Sequence, residues 1–307
     1  MTIAMARHDD VEIAYETFGG PPGDPLLLVM GVGAQMLYWH DEFCAALAGR
    51  RFWVARFDNR DAGLSTHMPS AGVPSRLRML RRPAEAAVYR LEDMADDAVA
   101  VLDALSWPAA HVVGRSLGGM IAQVMAVRHP SRVLSLTSIS STPSARIGRA
   151  SLGLVLRMLL ANPAAARDRP PASADEAGEQ MVRGHQVVGS PGYPLDEAWL
   201  RDVGRRMFER GGIDPDGRQR QNAAILAGAD RRSALAALRV PTLVVHGEAD
   251  PLVRVIGGRA TAAAIPGAKL VTFAGMGHDL PRELWPAIIE EIRALADSGA
   301  RRRGKPG

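Results

Sequence analysis

A single cysteine, Cys44, occurs in 307 residues. One thiol can neither close an intrachain disulfide nor supply a two-cysteine metal site, so nothing demands an oxidising compartment. Lysine is nearly absent: Lys269 and Lys305 are the only two, and arginine supplies the rest of the 37 positive side chains against 33 acids. The resulting charge of +4 is small and dispersed. It has one dense cluster, Arg76, Arg78, Arg81 and Arg82, and a tail run of Arg301, Arg302 and Arg303. No aromatic residue interleaves the tail run, which reads as a solvated end, and no nucleic-acid partner is expected. Long apolar runs are missing as well. Residues 1–10 lack an apolar signal core and no later stretch could span a bilayer, so a cytoplasmic location without stable membrane insertion is expected.

What is present is enough apolar residue, 47% of the chain, for one substantial core plus an insertion. Short apolar segments alternate with amphipathic ones, the pattern of a mostly parallel sheet with helices on both faces. Strands are expected at 11–15, 26–30, 52–57, 111–113, 133–139, 243–246 and 269–273. Leu91, Met94, Ala98, Val101, Leu102 and Leu105 share one helical face that should pack on the sheet. Pro130 should end the helix before it, because a residue preceding proline is pushed out of helical geometry. The alternation stops near Pro143 and resumes at Val240. Residues 144–232, with helical stretches at 152–160 and 199–208 around a Pro- and Ala-rich segment at 162–177, are expected to form a helical insertion over one end of the sheet. The core is then 1–143 and 233–307. Residues 66–84, with Pro69, Pro74, Pro83 and the arginine cluster, are expected to be a long loop.

The chemistry centres on Gly114-Arg115-Ser116-Leu117-Gly118, directly after an apolar run and before a helical one. A serine at a strand-to-helix reversal is exposed above the sheet edge with helical N–H groups beside it. A hydroxyl needs a base and the base needs an orienting acid. Asp250 follows the strand at 243–246 and His278 the strand at 269–273, so both leave carboxyl ends of strands, where such sheets place their sites. Glu248 competes with Asp250 for the acid role. His111, His129 and His185 read as surface or satisfied core residues. Leu117, following the nucleophile, offers one oxyanion N–H, and Val32 in Gly31-Val32-Gly33 offers the second, with Gly33 as the alternative.

On these motifs the chain resembles the α/β-hydrolase fold superfamily over nearly its whole length. The turn Asp58-Asn59-Arg60-Asp61-Ala62-Gly63-Leu64-Ser65 is similar to that family's D-x-R-x-x-G-x-S, and Pro241-Thr242-Leu243 with Gly247 to its P-T-L-x-x-x-G strand. Residues 28–31 and 58–61 most resemble the serine esterase and lipase branch that includes aclacinomycin methylesterase. The resemblance implies an eight-stranded sheet with a helical cap. It also implies a catalytic set of Ser116, Asp250 and His278, and hydrolysis of a small-molecule carboxylic ester through an acyl-enzyme with no cofactor and no metal. Met30 stands where many relatives carry histidine. Serine at the elbow excludes epoxide hydrolases and haloalkane dehalogenases, which need aspartate there. C–C bond hydrolysis, lactone or thioester opening, acyl transfer and perhydrolysis remain open to the same residues, as does a non-catalytic receptor. Charges in the 58–65 turn read as pairs that hold loops near the site. Arg115 suits either a substrate anion or a nearby carboxylate.

Overall fold

The computed structural model describes residues 2–161 and 169–303. Residues 162–168 of the Pro- and Ala-rich segment and the side chains of the tail arginines lie outside the described residues. Eight strands form one sheet: β1 Ala4–His8, β2 Val11–Phe18, β3 Asp24–Val29, β4 Phe52–Phe57, β5 Ala110–Arg115, β6 Val133–Ile139, β7 Thr242–Gly247 and β8 Lys269–Phe273. Their order is β1-β2-β4-β3-β5-β6-β7-β8. β2 pairs antiparallel with β1 and with β4, and every later pairing is parallel. The parallel register sets Val29 beside Gly114 and Gly114 beside Ser138, so the loops after β3, β5 and β6 emerge side by side.

Every residue of β5 is buried, as expected where helices cover both faces of a parallel sheet. The two-residue period then divides the core. Leu27, Val29 and Val112 pack on one face with Met94, Ala98, Val101 and Ile121. Leu26, Leu28 and Val113 pack on the other with Phe43, Leu47, Ile288 and Ile292. The helix Leu91–Ala104 buries the expected face, except that Leu105 caps its end and is only partly buried. The helix Leu117–Arg128 stops at His129, immediately before Pro130.

Two elements differ from expectation. β1 went unnoticed because Ala6 is its only buried residue, so an edge strand of this kind carries no apolar alternation. Residues 66–84 are not wholly a loop. The helix Arg76–Arg81 is capped by Ser75, whose Oγ accepts from the Arg78 N–H at 3.2 Å, and Pro83 opens the short helix Pro83–Ala86. Met79 anchors this segment against Ala86 and Ala223.

Between β6 and β7 the chain forms the helices Leu152–Ala161, Ala174–Val188, Glu197–Glu209 and Pro215–Ala227. Buried polar contacts join them to the 58–65 turn. Asp58 accepts from Arg210 Nη1 at 2.6 Å and from the Met36 N–H at 2.7 Å. Asp61 receives Arg220 through two bonds of 2.8 and 2.7 Å, and Gln221 Nε2 donates to the Arg60 carbonyl at 2.8 Å. Arg60 itself is held by Asp97 through bonds of 2.6 and 2.7 Å. Paired in this way, the charges of the turn fasten helices to sheet.

Candidate active site

Ser116 turns β5 into the helix Leu117–Arg128 at φ 56° and ψ −119°, a backbone conformation that costs a non-glycine residue on the order of 1–3 kcal/mol. Its flanks permit the bend. A Cβ at Gly114 would lie 2.1 Å from the Gly118 carbonyl oxygen, and one at Gly118 would lie 2.0 Å from that of Val29. The glycine spacing is therefore a steric requirement. Ser116 donates its own N–H to the Ile139 carbonyl at 2.9 Å and stays partly accessible between buried neighbours.

His278, in the loop after β8, has Nε2 at 3.1 Å from Ser116 Oγ and Nδ1 at 2.7 Å from Asp250 Oδ2. Asp250 follows β7 and is buried. Its Oδ1 accepts the N–H groups of Leu252 and Val253, both at 2.9 Å, which leaves Oδ2 for the imidazole. A carboxylate on Nδ1 fixes the proton there and turns the Nε2 lone pair toward the hydroxyl. Glu248 instead accepts from Thr272 Oγ1 at 2.9 Å on an exposed edge. His246, fully buried on β7, hydrogen-bonds the Val253 carbonyl at 2.7 Å and braces the Asp250 turn from beneath. Burial lowers its pKa.

The histidine loop is clasped by the end of the helix Ala174–Val188. The His278 N–H donates to the Val188 carbonyl at 2.8 Å and the Gly277 N–H to Ser190 Oγ at 2.7 Å, while Ser190 Oγ donates to Asp279. Farther along, the Gly192 N–H reaches the Gly275 carbonyl at 3.0 Å. No sequence motif marked Ser190.

In the loop after β3, Gly31 packs directly on Ser116: a Cβ there would meet the Ser116 Cβ at 3.3 Å. The Gly33 N–H is taken by Gln221 Oε1 at 2.7 Å, which removes that alternative. Val32 keeps a free N–H among the described residues. Leu117 is the first residue of its helix, so its N–H has no intrahelical partner.

His111 bonds Ser135 Oγ at 2.8 Å and His129 bonds Asp96 at 2.6 Å, both as structural groups. His185 departs from that expectation. Its Nδ1 faces the Met181 carbonyl at 2.8 Å, so Nε2 accepts the proton of the Tyr38 hydroxyl. Burial pushes His185 down to about 4 and Tyr38 up to about 12, so the pair is neutral at neutral pH. Arg115 finds no carboxylate among the described residues. It donates Nη2 to the His278 carbonyl and lays its guanidinium over the Tyr38 ring at 5.1 Å. Beside this group lies a cavity of about 260 Å³ between the inserted helices and the loops after β3 and β8. Tyr38, Phe43, Trp199 and Trp285 give it aromatic walls, and Arg115 and Asp279 each stand one residue from Ser116 and His278. Asp61, His67 and Asp214 cluster as metal ligands could, but Arg220 already pairs with both carboxylates.

Comparison with known proteins agrees with this fold. A family model described as alpha/beta hydrolase fold matches residues 24–281. Rhodomycin D methylesterase DauP of Streptomyces sp. (strain C5) is 31% identical, over 96% of this chain and 98% of its own length. Rhodomycin D methylesterase DnrP of Streptomyces peucetius is 30% identical over the same shares. The crystal structure of the esterase RhEst1 from Rhodococcus sp. ECU1013 superposes with a TM-score of 0.71 at 21% identity, covering 97% of this chain and 99% of that one.

Proposed function

Because the chain belongs to the alpha/beta hydrolase fold family, we propose that it hydrolyses carboxylic esters with Ser116 as nucleophile, passing through an acyl-enzyme. The observation that carries this reading is the His278 ring, bridging Ser116 Oγ at 3.1 Å and Asp250 Oδ2 at 2.7 Å. His278 Nε2 takes the serine proton as Oγ attacks the ester carbonyl, and the imidazolium is stabilised by Asp250. The N–H groups of Val32 and Leu117 receive the oxyanion, with the positive end of the helix dipole behind Leu117. Each such donor is worth about 2.7–4 kcal/mol of transition-state stabilisation. His278 then returns the proton to the departing alkoxide, and water repeats the sequence on the acyl-enzyme.

The chain's similarity to the two rhodomycin D methylesterases supports a methyl ester as the bond cleaved. The aromatic walls beside Arg115 support an apolar acyl group of medium size or larger, held beneath the inserted helices 144–232 acting as a cap. A p-nitrophenyl ester series on the wild type and Ser116→Ala tests both parts. Ser116→Ala should lose about six orders of magnitude in kcat, and the wild-type rate should peak above acetate. A Ser116→Ala protein with the wild-type rate would refute the nucleophile, and a maximum at acetate would refute the apolar acyl pocket.

A further inference from the structure

The arginine cluster has no part in the site, and its setting supplies a use for it. From Ala62 to Ala84 the sequence contains no acidic residue, while Arg76, Arg78, Arg81 and Arg82 fall within seven positions. The helix Arg76–Arg81 buries Met79 toward the inserted helices and turns its apolar side chains outward: Leu77 is 58% exposed, Leu80 73%, and Val73, just before the helix, 48%. Arg78 and Arg81 make no ion pair among the described residues, and Arg82 has only an exposed contact of 3.4 Å with Glu85. The helix Leu152–Ala161 repeats the composition. It buries Leu154 and exposes Leu152, Val155, Leu156, Met158, Leu159 and Leu160, with Arg157 among them and Arg146 and Arg149 before it.

Exposed leucines interleaved with guanidiniums, those of Arg78 and Arg81 without an ion pair among the described residues, do not suit a second copy of this chain, because two such faces would bring like charges together and bury guanidiniums without acceptors. An anionic lipid surface supplies both complements: phosphate oxygens for the guanidiniums, and the acyl boundary for the leucines, with arginine stems reaching up to the headgroups. We propose that the helix Arg76–Arg81 docks the protein peripherally on anionic lipid bilayers. No described helix is long and apolar enough to cross a membrane, so attachment is interfacial and reversible. This inference is independent of the reaction at Ser116.

Co-sedimentation with phosphatidylglycerol/phosphatidylcholine vesicles, and with phosphatidylcholine vesicles alone, tests the proposal on the full chain. The wild type should partition onto the anionic vesicles, be released by high salt, and ignore the neutral ones. Arg78→Gln with Arg81→Gln should lower the partition by about fivefold for each arginine removed. Leu77→Ser with Leu80→Ser should lower it at least as far by removing the apolar anchor. All four side chains are exposed, so hydrolysis of a monomeric soluble ester should be unchanged, which verifies that the variants fold. No partition onto anionic vesicles, equal partition onto neutral ones, or full partition by either folded double variant would overturn the proposal. So would a dimer in sedimentation equilibrium that Leu77→Ser/Leu80→Ser dissolves, since the face would then belong to a second copy.

Discussion

At the scale of single residues, the candidate site depends on where protons are held. Asp250 has one oxygen saturated by two backbone N–H groups and the other committed to His278 Nδ1. Asparagine would fill the same space but would present an amide or a neutral oxygen to the ring, favouring the wrong tautomer. Asp250→Asn is expected to lose about 10⁴ in kcat with substrate binding retained, as turnover of a hydrolysable ester and competitive inhibition by a non-hydrolysable analogue would check. The Tyr38–His185 pair makes a second prediction. His185 faces the Met181 carbonyl, Arg115, Asp279 and His278, and burial, helped by the Arg115 charge, outweighs the pull of the Met181 carbonyl and of Asp279, so its folded pKa lies near 4, below the ordinary 6.5. Between those values an unfolded chain takes up a proton that the folded one refuses. The contribution to stability is whole above the unfolded pKa and is lost as pH falls toward the folded one. The thermal midpoint of the wild type should therefore drop more than that of His185→Gln on acidification from neutrality to about pH 5. Equal drops would contradict it.

At the scale of elements, the helices between β6 and β7 are wired both to the 58–65 turn and to the histidine loop. Arg220 and Asp61 are each 1% exposed, so breaking their pair strands a buried charge. Asp61→Asn should cost about 3–5 kcal/mol in urea unfolding with an unchanged m-value. The clasp at Ser190 should register in turnover. Ser190→Ala is expected to lower kcat about tenfold, the scale of one buried hydrogen bond, while KM stays within about twofold and Ser190→Thr restores the rate. A KM effect without a kcat effect would make Ser190 a pocket residue and not a positioning one. These couplings mark the limit of sequence reading. The helix Leu91–Ala104 was legible because its periodicity reports burial directly, and strands such as β4 and β6 because they are short, largely apolar segments buried on both faces. β1 was not, with one buried side chain in five. The helix Arg76–Arg81 was obscured because prolines bracket it and its leucines face outward. Tyr38 meets His185 across 147 positions of chain and Ser190 meets Gly277 across 87, contacts that only packing reveals.

At the scale of the whole molecule, a mostly parallel sheet brings the loops after β3, β5, β7 and β8 to one edge, and its register decides which residues meet there. Gly114 beside Val29 sets the elbow against the Gly31 to Gly33 loop, while β7 and β8 deliver Asp250 and His278 from the other side. That Ser116, Asp250 and His278 meet was legible because strand-end loops converge in this topology whatever the intervening sequence. The oxyanion donors were legible only as a choice, which Gln221, 188 positions from Gly33, narrows by occupying one of the two N–H groups. The central claim is that this edge activates Ser116, and intact mass after treatment with a fluorophosphonate tests it most directly. The account predicts one adduct per chain on the wild type, mapped to Ser116, and none on Ser116→Ala or, at matched time, on His278→Ala. An unmodified wild type, or an adduct that persists in Ser116→Ala, would contradict it.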